Sequence, residues 1–293
     1  MKSKVNWIPM LLMAGIMTIV ILSGCKVKKD LTGSPETGLA MKYSNKDGQA
    51  LLYDWDTELN EKVSFQGNDI EIGITVDLIF SMEPALKTKG KLDYKVTIDE
   101  METKIASPRG ESSGDVSGAT GKSFNLCIDP DGRNPVITGA DNVKYELIPG
   151  QSRSVAMNYQ NFFPKLPHEL VKQGDSWKYS DTINESENDS KVILIFNNHQ
   201  TFDGTDTIEG MECARIVNRF SGTIEGQGIQ EGINLVTRGT LEGSETWYFS
   251  WEKGILVKQS TIGTAEAMVT SPDKADIQIP TQREFTYELV LKK

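Results

Sequence analysis

The chain has 293 residues, with 31 Lys and Arg against 41 Asp and Glu, a formal charge of −10 and two histidines. That balance excludes nucleic acid as a partner, because phosphate contacts need Lys and Arg. It also disfavours a surface that lies flat on anionic lipid.

The first element is a basic start, Lys2 and Lys4, followed by an apolar run from Val5 to Leu22 and small residues at its exit. This pattern predicts a secretory signal peptide over 1–24. The exit Leu22-Ser23-Gly24-Cys25 resembles the bacterial lipobox, in which an aliphatic residue, a small residue and Gly or Ala precede a cysteine. The resemblance implies signal-peptidase recognition at Leu22, Ser23 and Gly24. It also implies a diacylglycerol on the Cys25 thiol and a fatty chain such as palmitate on the new amine. One acyl chain anchors marginally, whereas two or three hold almost permanently, since each buried methylene contributes about 0.8 kcal/mol. The alternative is an uncleaved transmembrane helix, for which a run interrupted by Pro9 falls short of the roughly 20 residues needed. Either way the remainder is expected outside the cytoplasm: on the outer face of the cell membrane, or at the outer membrane of a Gram-negative cell. Lys26 leans toward the latter, because Asp at that place is an inner-membrane retention signal.

Residues 25–48 are polar and carry Gly, Pro and Ser, which predicts a flexible tether. From residue 49 the period is two. Ile70, Ile72, Ile74, Val76 and Leu78 alternate with Asp69, Glu71, Gly73, Thr75 and Asp77; Leu92, Tyr94, Val96 and Ile98 do the same. Strict alternation gives one dry and one wet face, as in an antiparallel sheet. The pattern recurs to "REFTYELVL", with turns expected at "SPRGESSGD", "DPDG", "FDGTD", "EKG" and "SPDKAD". The best helical candidate is one short helix or turn within 154–163. The expectation is an all-β domain over 49–293: a curved antiparallel sheet or incomplete barrel, with candidate related halves 49–157 and 158–293.

Two groups of residues carry a resemblance. Gly204, Gly210, Cys213, Ile216, Trp247, Phe249 and Gly254 are similar to the pattern of LolA-like lipoproteins and lipoprotein carriers. Phe163, Leu166, Pro167, Val171, Gly174, Asp175, Ser176 and Trp177 resemble a linker and strand in uncharacterised bacterial lipoproteins. The resemblance implies an incomplete barrel around an apolar cavity, which holds lipid in some members, and it implies no catalytic residues.

Chemistry-bearing motifs are sparse. No His-x-x-x-His, Cys-x-x-Cys or Gly-x-Ser-x-Gly occurs. Asp129 to Asn134 places its glycine fourth, which fails calcium-loop spacing and reads as a turn. No metal, cofactor or catalytic residue is expected. Cys127 and Cys213 are a candidate disulfide in an oxidising compartment, or two buried free thiols in strands. The candidate ligand-facing set is Trp247, Phe249 and Trp251 with Ile70, Ile72 and Ile74; plain core packing is the alternative for the same rings. The functional expectation is a non-enzymatic lipoprotein, anchored by its N-terminal lipid, whose β domain binds a lipid or acyl chain. The alternative is a structural or protein-interaction module of the cell envelope with an envelope protein as partner.

Overall fold

The expected alternation is realised as nine long strands of 12 to 20 residues in one antiparallel sheet. The computed structural model describes residues 33–292, apart from 66, 86–89, 149–150, 188–189 and 231. The signal segment, Leu22, Ser23, Gly24 and Cys25 lie outside the described residues.

In chain order, a small hairpin pairs β1 (Gly33–Ser34) with β2 (Gly38–Leu39). A first meander follows: β3 (Leu51–Phe65), β4 (Asn68–Pro84) and β5 (Leu92–Ser107). Short strands β6 (Gly110–Ser113), β7 (Ser123–Ile128) and β8 (Val136–Thr138) extend that side. β9 (Lys144–Ile148) and β10 (Gln151–Ser154) form a separate hairpin, and α1 (Ala156–Tyr159), the one α-helix among the described residues, follows within the expected window. A second meander comprises β11 (Ser176–Glu187), β12 (Ser190–Ile208), β13 (Met211–Gln230), β14 (Ile233–Ser250), β15 (Ile255–Thr270) and β16 (Gln278–Lys292).

The large sheet runs β11-β12-β13-β14-β15-β16-β3-β4-β5-β7-β8, with β6 also on β5. The two meanders join where β16 pairs with β3, from Thr281↔Val63 to Lys292↔Leu52. The two candidate halves therefore share one continuous ladder. Among the described residues the sheet does not close, and β11 and β8 are its ends.

The sheet curls around a core. Tyr94 of β5 reaches Phe249 of β14 through only Phe163 and Tyr43, with successive ring centroids 6.3, 4.8 and 5.2 Å apart. Those strands are five spacings apart, about 24 Å if flat. The filling is the segment 155–171: Val155, Tyr159, Phe162, Phe163, Leu166 and Val171 are buried. Phe162 touches the rings of Tyr53, Trp55, Phe80, Tyr159 and Phe163 at 4.8 to 6.0 Å.

Part of the stretch assigned to the tether is core instead. Leu39, Met41 and Tyr43 are buried. Val171 and Leu39 exchange backbone hydrogen bonds, and the Tyr43 hydroxyl donates to the Pro164 carbonyl at 2.9 Å. Three apolar residues at alternate positions give this short stretch one dry face.

Two more expectations are corrected. "FDGTD" is not a turn but the middle of β12. A bulge falls between Phe202 and Gly204, leaving Asp203 unpaired in the ladder; its carboxylate takes a hydrogen bond from Arg215 Nε at 2.9 Å. The true reversal is Glu209-Gly210, with φ of 51° and 77°, the left-handed pair that a two-residue hairpin requires. The candidate disulfide is not formed: Cys127 on β7 and Cys213 on β13 are both free, seven strand positions apart. Burial pushes the Cys127 thiol up to about 11, with Asp93 beside it adding to the rise. Burial likewise pushes Cys213 up to about 12.

Candidate functional site

Residues opposed across neighbouring strands share a face, so the register sorts the side chains into rows. The inner face carries Phe202, Ile216, Trp247, Gln259, Leu289, Trp55, Leu78 and Met101 in one row. Trp247 and Phe249 are fully buried and Trp251 nearly so. These three rings of the candidate set are packed into the core, with Phe249 edge-on to Tyr43, and line no open space.

The next row along the same strands is polar: Gln200, Asn218, Glu245, Thr261, Tyr287 and Thr57. Glu245 is held by three donors. Asn218 Nδ2 bonds one carboxylate oxygen at 3.0 Å; Gln259 Nε2 and, at 3.4 Å, Thr261 Oγ1 bond the other. Burial raises its pKa, and the three hydrogen bonds offset that only in part. Among the described residues no Lys or Arg pairs with it. Two acceptors beside it, Asn218 Oδ1 and Gln200 Oε1, have no protein partner, and neither does the Trp247 Nε1 donor one row deeper. Gln200 Nε2 does donate, to the Tyr179 hydroxyl at 3.2 Å. Glu245 lies deep in the protein but keeps part of its surface open, as do Tyr179 and Tyr287.

Beyond this row the inner face is largely apolar and only half covered; its polar members include Asn198 and the Arg283–Glu61 ion pair. Phe196, Phe220, Phe285 and Tyr287 form a chain of rings at 6.1, 6.4 and 5.4 Å. Phe220 and Phe285 sit on β13 and β16, three spacings apart, about 14 Å. Between them Gly243 and Gly263 pair with each other and carry no side chain, so the two rings lie stacked across them. Leu59, Val63, Ile70, Ile72, Ile74, Ile183, Leu194, Ile224, Val269 and Ile279 share this face further out, none of them fully buried. Ile70, from the candidate set, is 38% exposed. Ile72 and Ile74 are half-buried. The result is a largely apolar trough whose inner end is the Glu245 row and which the Arg283–Glu61 pair interrupts on β16 and β3.

The outer face carries a different feature, an open depression of about 610 Å³ whose lining includes Glu58, Arg219, Glu242 and Glu284. These charges are exposed. They form a solvated face without convergent donors. Among the described residues no group of three or more His, Cys, Asp or Glu is placed to hold a metal ion. Nor is any helix there long and apolar enough to cross a membrane.

Sequence reasoning missed the Glu245 row. Its signal was present: in "SETWYFSW" an acid occupies the same phase as Trp247 and Phe249, which are inward.

No family model matches the chain, and no curated protein matches it. Among solved structures, an exported protein with a YmcC-like fold from Bacteroides fragilis superposes with a TM-score of 0.26 at 11% identity, covering 87% of this chain and 100% of that one. The COG4313 outer membrane channel of Pseudomonas putida F1 gives 0.25 at 8% identity, over 83% and 96%. A DUF1329 family protein from Desulfovibrio piger gives 0.15 at 10% identity, over 82% and 85%. Superpositions at these scores establish neither a shared fold nor a shared function.

Proposed function

We propose that this protein is a non-enzymatic, extracytoplasmic β domain, tethered to a membrane through lipidated Cys25, that binds an acyl chain or similar apolar ligand in the trough on its inner face. The observation that carries the reading is the uneven filling of that face. Where 38–45 and 155–171 pack against it, the face is a sealed core; beyond the Glu245 row the same alternation continues, but no described segment covers it. Largely apolar surface left open in this way is expected where a ligand completes the burial. The anchor rests on the lipobox-like Leu22-Ser23-Gly24-Cys25.

The test is organic extraction of protein purified from its own cells, followed by mass spectrometry of the extract. An acyl-chain lipid at near-stoichiometric yield, lost in Ile74→Lys, supports the reading; a clean extract defeats it. Growth with labelled palmitate tests the anchor separately, and an unlabelled Cys25 would defeat that part.

The alternative, an envelope interaction module pairing through an edge strand, finds less support at β11. Its outer edge is engaged at Asn184, where Gln160 Nε2 donates to the Asn184 carbonyl at 3.1 Å and the Asn184 N–H donates to Gln160 Oε1 at 3.4 Å. A side chain bonded to the edge backbone hinders strand addition at that position.

A further inference from the structure

We propose that Glu245, Asn218 and Gln200 form a head-group subsite at the inner end of the trough, which takes the primary ammonium head of a long-chain amine or amine-bearing lipid. The inference rests on the apolar-chain reading above and adds the chemistry of the ligand's polar end.

Three observations point to a donor-rich, cationic head. First, the three residues are consecutive in one inner-face row, so their side chains are neighbours, and Asn218 Nδ2 donates to Glu245. Second, that place has acceptors to spare. Gln200 and Asn218 are 0% and 2% exposed, and Oε1 of the first and Oδ1 of the second have no protein partner. A buried polar atom left without a partner costs about 1 to 3 kcal/mol. Such atoms persist where something else satisfies them. Third, Glu245 is a deep-set carboxyl with three hydrogen-bond donors and, among the described residues, no cation. A buried carboxylate without a positive partner is costly, and the usual remedies are protonation or a cation brought in from outside. An ammonium offers one positive charge and three N–H donors. The count matches one carboxylate and two amide oxygens.

The neighbouring geometry fits a chain attached to that head. Phe220 and Phe285 reach over Gly243 and Gly263, one row beyond Glu245, so a methylene chain leaving the head would meet the two rings. The ammonium side of such a chain is favoured over rings by cation–π attraction as well as by Glu245. A carboxylate head would face the like charge of Glu245 and the two open amide oxygens, with Trp247 Nε1 as the one open donor nearby.

The experiment is competitive native mass spectrometry of the purified full chain with equimolar dodecylamine, 1-dodecanol and dodecanoate. The expected result is an amine adduct at least tenfold more abundant than the carboxylate adduct, with the alcohol between. Glu245→Gln keeps the shape and one acceptor, and should bring the amine-to-carboxylate ratio close to one while leaving the alcohol adduct in place. That retained alcohol adduct also shows that the variant is folded; if Glu245→Gln does not fold, the wild-type ratio decides alone. Equal adducts of all three ligands, or a ratio unchanged in Glu245→Gln, overturn the head-group subsite but leave the apolar trough standing. Absence of every adduct overturns the apolar-chain reading, and the subsite with it.

Discussion

Gly243→Ala should destabilise the protein, whereas Gly73→Ala should not, although both glycines lie in long strands on the large sheet. A Cβ built on Gly243 would stand 2.3 Å from the Ile262 carbonyl oxygen, 2.4 Å from Phe220 Cζ and 2.8 Å from the Gly263 Cα. Two of those three atoms are backbone of β15, and the third belongs to a ring pinned between Phe196 and Phe285. Nothing there yields cheaply. Relief needs β14 and β15 to separate at this register, which weakens one or two ladder hydrogen bonds at about 1 kcal/mol each. Overpacking adds about 1 to 3 kcal/mol, so the expected loss is about 2 to 4 kcal/mol. A Cβ on Gly73 meets nothing closer than Asn60 Oδ1 at 3.4 Å and the Ala106 Cβ at 3.8 Å, ordinary contacts. There the reduced freedom of the unfolded chain should contribute about 0.4 to 1 kcal/mol of stability. Urea denaturation followed by circular dichroism is the assay. With a slope of about 3 kcal/mol per molar, the Gly243 variant should lose roughly 1 M in midpoint at constant slope. Equal midpoints for the two variants would refute the close approach of β14 and β15 and the placement of the Phe220 ring.

Phe162→Ala removes a buried ring that touches five others and should cost about 3 to 5 kcal/mol, read as a lowered melting temperature with a weakened near-ultraviolet signal. A thiol reagent should find Cys213, 0% exposed, unreactive in the folded protein and reactive in guanidinium without any reductant, because it is not in a disulfide. Glu245 should make stability fall as pH rises. Its folded pKa is raised, so the folded state binds more protons, and the favourable contribution present below the unfolded value is lost as pH climbs through the folded value. Melting temperatures of Glu245→Gln and the parent should therefore diverge in favour of the variant as pH rises from about 4; a constant difference would count against a buried, uncompensated acid.

The strands were legible because period-two alternation is a local property, and β4 or β5 declares its dry face residue by residue. The short helix was legible from the apolar residues before Pro164. Three things were not. The stretch 38–45 has only Leu39, Met41 and Tyr43 in phase, too short a run beside so many polar residues to announce burial. The bulge at Asp203 looked like a turn, because Asp-Gly serves both purposes and only the partner strand decides between them. The Glu245 row was hidden because Gln200, Asn218, Glu245 and Thr261 lie on four different strands; each looks like a minor break in alternation until the register aligns them. Trp247, Phe249 and Trp251 failed as ligand-facing candidates for a related reason. Their phase was right, but their position along the strand puts them under Tyr43 and the 155–171 filling.

The pairing of β16 with β3 constrains how the molecule can be made. Arg283 and Glu61, joined across that seam at 3.0 Å, are 222 residues apart in the chain. A polypeptide emerging N-terminus first must therefore keep the 15-residue flank of β3 unsatisfied until almost everything else has appeared. During that wait β3 is a template for any extended stranger, and holding it apart is a task for an escort protein or for rapid completion. A chain cut short before Gln278 would lack β16 altogether and leave two long flanks bare, those of β3 and β15, so clumping is the expected fate of such fragments.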